Sequence, residues 1–201
     1  WDGTLIDTTE AVYQANVEVM RAFGLPELTR EVYGAHFTPN WRIFYAALGV
    51  PEELVERAAD VWHAAYRGHE ADLLPGARGA LERLVAAGIP IGVVTAGDRK
   101  VVGIQLARTG VAELLGATVY GDDLAEQKPD PAPLRRALAA LGHANTPGDT
   151  AYLGDTLDDV RMARAAGVRG VGIHSPFFDP ARFYEADAHE HAPSVAAWVD
   201  A

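Results

Sequence analysis

The chain has 201 residues, 49% of them hydrophobic, with 17 basic and 28 acidic side chains and a formal charge of −11. The acidic balance argues against a nucleic-acid phosphate backbone as partner, and no apolar run approaches the roughly 20 residues of a membrane span. There is no cysteine, which excludes disulfides, thiolate metal sites and a cysteine nucleophile, and fits a cytoplasmic setting.

The first eight residues, Trp1-Asp2-Gly3-Thr4-Leu5-Ile6-Asp7-Thr8, place a carboxylate, a glycine bend, a hydroxyl and an apolar pair in one short run. Asp7-Thr8-Thr9-Glu10 has the spacing of a capping box, so Asp7 is expected to cap a first helix. That helix carries Val12, Ala15, Val19 and Phe23 on one stripe and stops at Gly24. Further helices are expected over 29–36, 41–48 and 51–70, separated by Pro39-Asn40 and Gly49-Val50-Pro51. No stretch from 8 to 70 reads as a strand. After Leu74-Pro75-Gly76 the texture changes to alternation. Helices are expected at 77–87, 99–109, 131–141 and 158–166. Strands are expected at 89–95, 117–120, 150–153 and 170–174, and a last helix near 194–200. This order predicts an α/β fold, a Rossmann-like parallel sheet with helices on both faces. Residues 1–7 and 76–201 form the core in this reading. Residues 8–75 are an all-helical insert, placed to act as a lid.

Polar residues stand just past the apolar strands: Thr95 after the first, Gly154-Asp155 after the third, and Asp122, Asp123 and Lys128 after the second. Ligands of an open parallel sheet bind at the carboxyl ends of its strands, so Asp2, Thr95, Lys128 and Asp155 are expected to meet in one crevice. Lys128 is one of only two lysines and precedes a rigid Pro129-Asp130-Pro131 bend. Asp155 and Asp159, four apart, either favour the start of the following helix or share a cation with Asp2. Oxygen ligands alone favour Mg²⁺.

These motifs resemble those of the haloacid dehalogenase-like hydrolases. Asp2-Gly3-Thr4-Leu5-Ile6-Asp7 is similar to the latter part of the family's first motif, Asp-x-Asp-Gly-Thr. Val93-Val94-Thr95 resembles the second motif, Lys128-Pro129-Asp130-Pro131 the third, and Gly154-Asp155-Thr156-Leu157-Asp158-Asp159 the fourth. The helical insert resembles the cap of the phosphoglycolate-phosphatase-like branch. Trp1 falls on the x position, so the resemblance implies a nucleophilic Asp, and a short apolar strand, immediately upstream of Trp1.

The resemblance further implies phosphoryl transfer through an aspartyl-phosphate, with Asp2 as acid and base. It implies Mg²⁺ held by the upstream Asp, the backbone carbonyl of Asp2 and Asp155, with Asp159 close by or acting through water. Thr95 and Lys128 would bind phosphate, helped by backbone N–H groups of Gly3, Thr4, Ala96 and Gly97. A small phosphorylated metabolite is the expected partner, and Arg42 is the first candidate on the cap for touching it, ahead of His36, Tyr45 and Arg30. Asp2 separates the chain from the family's dehalogenases. A cap without lysine separates it from the phosphonatases. A phosphosugar mutase and a non-catalytic phosphate-binding relative remain as alternatives. His189 and His191 resemble a metal clamp on paper, though a polar loop with two histidines is ordinarily solvated.

Overall fold

Apolar residues recurring at three and four between 9 and 66 demand helices that bury one face. The computed structural model, which describes residues 1–67 and 69–201, builds four there. They are α1 (Thr9–Ala22), α2 (Arg30–His36), α3 (Trp41–Ala47) and α4 (Val55–Tyr66). The buried faces of α1 and its partners meet in an aromatic-rich cluster that includes Tyr13, Val19, Tyr33, Phe44 and Tyr45. Thr29 and Asn40 cap α2 and α3 by accepting from the backbone N–H groups of Val32 and Ile43. The capping box expected at α1 does not form. Thr8 is the N-cap residue, and neither it nor Asp7 supplies a side-chain cap. Thr8 is wholly buried and donates its hydroxyl to Asp2 instead.

The second unit alternates strands and helices. In chain order it contains α5 (Ala77–Ala86), β1 (Gly92–Val94), α6 (Arg99–Thr109), β2 (Ala117–Val119) and α7 (Ala132–Ala140). β3 (Ala151–Gly154), α8 (Leu157–Ala166), β4 (Arg169–Ile173), β5 (Glu190–Ala192) and α9 (Val195–Val199) follow. All strand pairs are parallel, β1 with β2 and β3 with β4 with β5. The fold is therefore mixed α/β, as the alternation predicts, with β1 and β2 shorter than the strands expected at 89–95 and 117–120. β5 and the 3₁₀ segment Pro180–Ala186 were not expected from the sequence. Glu190-His191-Ala192 has no apolar alternation, and only its pairing with β4 makes it a strand.

Two features position the site. The two half-sheets are joined through side chains rather than a shared ladder: the Tyr152 hydroxyl on β3 donates to the Val94 carbonyl on β1 at 3.0 Å. Trp1 is packed in the same core as Val93 and Val171, and its indole N–H donates to Gln105 at 2.7 Å. The chain enters and leaves the helical unit side by side. Ile6 bridges antiparallel to Leu73, the Asp7 N–H donates to the Asp72 carbonyl at 2.8 Å, and the Leu74 N–H donates to the Leu5 carbonyl at 2.9 Å.

Gly172 in β4 lies against the ring of the wholly buried Phe183, so close that a β-carbon there would stand 2.3 Å from it. Gly172→Ala should therefore lower stability by about 1–3 kcal/mol through overpacking. Adding Phe183→Leu should return part of that loss in urea unfolding. Additive losses in the double variant would contradict the contact.

Candidate active site

Because the strands run parallel, their carboxyl ends open on one side, and a cavity of about 760 Å³ lies there between the sheet and the helical unit. Asp2, Gly3, Thr95, Ala96, Gly97, Lys128, Asp155 and Asp159, all expected at the site, line it. Thr95 is delivered by β1, whose ladder continues as the Thr95 N–H donates to the Val119 carbonyl. Asp155 follows β3, and Asp159 belongs to the first turn of α8.

Asp159 is the most heavily bonded group. Lys128 Nζ donates to its Oδ1 at 2.7 Å, and the Tyr152 hydroxyl, its one proton shared with the Val94 carbonyl, lies 3.2 Å from the same oxygen. Its Oδ2 accepts from the Thr156 N–H and hydroxyl at 3.0 and 2.7 Å, while Thr156 caps α8. Both members of the ion pair are buried. Burial opposes charge on each, yet Asp159 holds the Lys128 ammonium above its ordinary range, and Lys128 holds the Asp159 carboxyl below its own.

Asp155 is placed differently. Thr4 donates to its Oδ1 at 2.9 Å, and among the described residues Oδ2 has no hydrogen-bond partner. A β-carbon on Gly3, which has φ 66°, would stand 2.3 Å from Oδ2. Only glycine lets the first loop come this close to the carboxylate. Burial, and then the charge of Asp159, pushes the Asp155 carboxyl up to about 6, against smaller opposing effects that include Thr4 and Lys128. A hard divalent cation fits this unmet charge and the all-oxygen surroundings. Among the described residues no three His, Asp or Glu side chains converge as a ready-made cluster. The protein ligands on offer are therefore few, as suits an ion that keeps several waters.

Asp2 is oriented by Thr8, which donates to its Oδ1 at 2.8 Å. Its Oδ2 has no partner among the described residues and lies beside Gly97. Thr95 Oγ1 accepts from the Gly97 N–H at 3.0 Å, leaving the hydroxyl proton to be donated elsewhere. The backbone donors expected at Gly3, Thr4 and Gly97 are turned inward. The Gly3 N–H bonds the Ile6 carbonyl, the Thr4 N–H bonds the Trp1 carbonyl at 3.3 Å, and Gly97 is spent on Thr95. A tight turn satisfies its own amides first.

Arg42 is not brought to the cavity. It stacks on Trp41 at 4.1 Å and pairs with the exposed Glu56 at 2.8 Å, while α3 turns Trp41, Phe44 and Tyr45 toward the cavity. Arg30 likewise pairs with Glu10. His36 and Tyr45 do line the cavity, as does Asp122. His189 and His191 do not. His189 accepts from the Gly170 N–H, and His191 lies 2.8 Å from His174, so neither is simply solvated. Sequence reading missed Thr8, and it missed Thr38, whose hydroxyl donates to Asp158 at 2.5 Å and ties the helical unit to the start of α8. No local pattern marks either residue.

A family model described as haloacid dehalogenase-like hydrolase matches residues 1–173. The chain is 28% identical over 206 residues to a phosphoglycolate phosphatase of Yersinia pseudotuberculosis, covering 98% of this chain and 86% of that one. It resembles the fold of a hydrolase from Pseudomonas syringae, with TM-score 0.85 and 24% identity over 99% of this chain and 93% of that one. It is also similar to CbbY from Rhodobacter sphaeroides, solved in complex with phosphate, with TM-score 0.74 and 26% identity over 97% and 92% of the two chains.

A carboxyl whose pKa is higher in the folded than in the unfolded chain stabilises the fold at acid pH, and that contribution is lost as pH rises through the folded value. In metal-free buffer Asp155 should therefore withdraw roughly 3 kcal/mol between about pH 4 and 7. Asp159, shifted the other way, gains over its own range in both proteins. The difference in urea stability between wild type and Asp155→Asn should change across that window. A constant difference would contradict the assignment.

Proposed function

The chain belongs to the haloacid dehalogenase-like hydrolase family, and we propose that it is a Mg²⁺-dependent phosphatase acting on a small organic phosphate monoester. Residues 1–7 and 76–201 form the hydrolase core in this reading, and 8–75 the cap. The observation that carries the proposal is the gathering of Asp2, Thr95, Asp155 and the Lys128–Asp159 pair around one cavity at the strand ends.

The nucleophile is the carboxylate of an aspartate bonded to the Trp1 nitrogen. Position supports this: that nitrogen is buried, with Lys128, Asp2, Asp155 and Asp159 as its charged neighbours. The carboxylate attacks phosphorus and the ester oxygen departs, leaving an aspartyl-phosphate. Asp2, held at Oδ1 by Thr8, presents Oδ2 to the departing oxygen and gives it a proton. It then takes a proton from the water that attacks phosphorus and releases inorganic phosphate. Thr95 donates its free hydroxyl proton to a phosphoryl oxygen. Lys128, with N–H bonds beyond the one to Asp159, holds the nucleophile and the phosphoryl group. Asp155 and the backbone carbonyl of Asp2 would hold Mg²⁺, together with the preceding aspartate, and Asp159 would act through Lys128 or a water. When bound, the ion offsets negative charge on the transferring group.

Phosphate release from a panel of small phosphate esters, with and without Mg²⁺, tests the activity. Asp2→Asn should reduce kcat by about 10²- to 10⁴-fold, with Mg²⁺ affinity by calorimetry nearly unchanged because the proposed ligand is its carbonyl. Loss of metal binding would remove Asp2 from the acid role. Phosphate moved within the substrate rather than released would favour a mutase.

A further inference from the structure

The cavity has two chemically different walls. The core side carries the charged groups described above. The cap side carries rings: Tyr33, Phe37, Trp41 and Trp62, joined by Phe177 and Phe178 from the segment after β4. All but Tyr33 are half-buried, so they keep ring surface open to the cavity. Apolar surface left facing a polar site is unfavourable until something covers it.

Positive charge is scarce on this wall. The stretch 8–75 has no lysine, and no arginine of that stretch lines the cavity. His63 is 3.2 Å from Asp98, and His36 is exposed. The two core arginines that reach the cavity already have carboxylate partners, Arg161 with Asp158 and Arg182 with Glu185. An anionic leaving group would meet rings, paired arginines and an exposed histidine.

The buried Tyr33 offers this wall a polar atom. Tyr33 is 1% exposed, stacked on Phe37 at 4.6 Å and edge-on to Phe44 and Phe177. Its hydroxyl has no hydrogen-bond partner among the described residues. Among the described residues no wholly buried side-chain oxygen lacks one, so this oxygen opens to the cavity, which Tyr33 lines. Burial and the nearby Asp155, Tyr45 and Asp2 keep its proton in place, which makes it a donor.

We propose that the cap wall is a leaving-group subsite for a phosphomonoester whose organic part is uncharged and carries flat apolar surface, with the Tyr33 hydroxyl donating to the phosphoryl group where the two walls meet. The inference rests on the phosphatase reading for the core wall and goes beyond it in naming the substrate class. It sets the chain apart from a relative named for phosphoglycolate, whose leaving group bears a carboxylate.

Non-hydrolysable phosphonates test it by calorimetry on the native-length protein with Mg²⁺. Benzylphosphonate should bind about tenfold or more tighter than methylphosphonate, and phosphonoacetate no tighter than methylphosphonate. Trp62→Ala should bring the benzyl-to-methyl ratio close to one. Tyr33→Phe should weaken all three by about three- to tenfold. Benzylphosphonate binding no tighter than methylphosphonate, or phosphonoacetate binding tighter, overturns the subsite whatever the turnover data show. Benzyl-selective binding without phosphate release from any ester overturns the phosphatase reading and leaves the subsite standing.

Discussion

The site depends on the buried ion pair of Lys128 and Asp159. Two charges taken out of water are costly unless each is paired and its remaining valences are met. Here Asp159 accepts from Lys128, Tyr152 and Thr156, and Thr156 in turn starts α8. The Tyr152 hydroxyl also reaches the Val94 carbonyl. One carboxylate thus ties together both half-sheets, the loop carrying Lys128 and the helix that follows Asp155. Removing either charge would leave the other buried and alone, a loss of several kcal/mol, so Lys128 and Asp159 serve the fold and the proposed chemistry together.

Asp155 shows the complementary case. It lies beside Asp159 but among the described residues has only Thr4 as a hydrogen-bond partner, and burial with the charge of Asp159 raises its pKa. The contrast between two carboxylates four residues apart, one saturated and one wanting, separates a structural anion from a candidate ligand.

Much of this was legible in the sequence because its signals are local. Apolar runs that end in Thr95 or Asp155, glycines that close helices, and the change of texture after Pro75 each act over a few residues. Partner choice was not legible. Thr8 looked like part of a helix cap, but burial turned it to Asp2. Arg42 looked like a substrate contact, but Glu56, fourteen residues away, holds it outside. β5 has no strand-like pattern of its own and exists through β4. In each case a tertiary neighbour outcompeted the local preference.

The side-by-side crossing at Ile6 and Leu73 bears on how the chain assembles during synthesis. The whole helical unit leaves the ribosome before β1 does. Its helices pack chiefly on one another, α1 against α4 above all, so the unit can assemble as it emerges. Once its helices pack, the two crossing segments are held within hydrogen-bonding reach, and the loop-closure entropy of joining residues so far apart has already been met. When β1 and β3 emerge, Trp1 and Asp2 are already waiting at the position they must fill. The helical unit is in this sense the jig on which the strands are joined to the first residues.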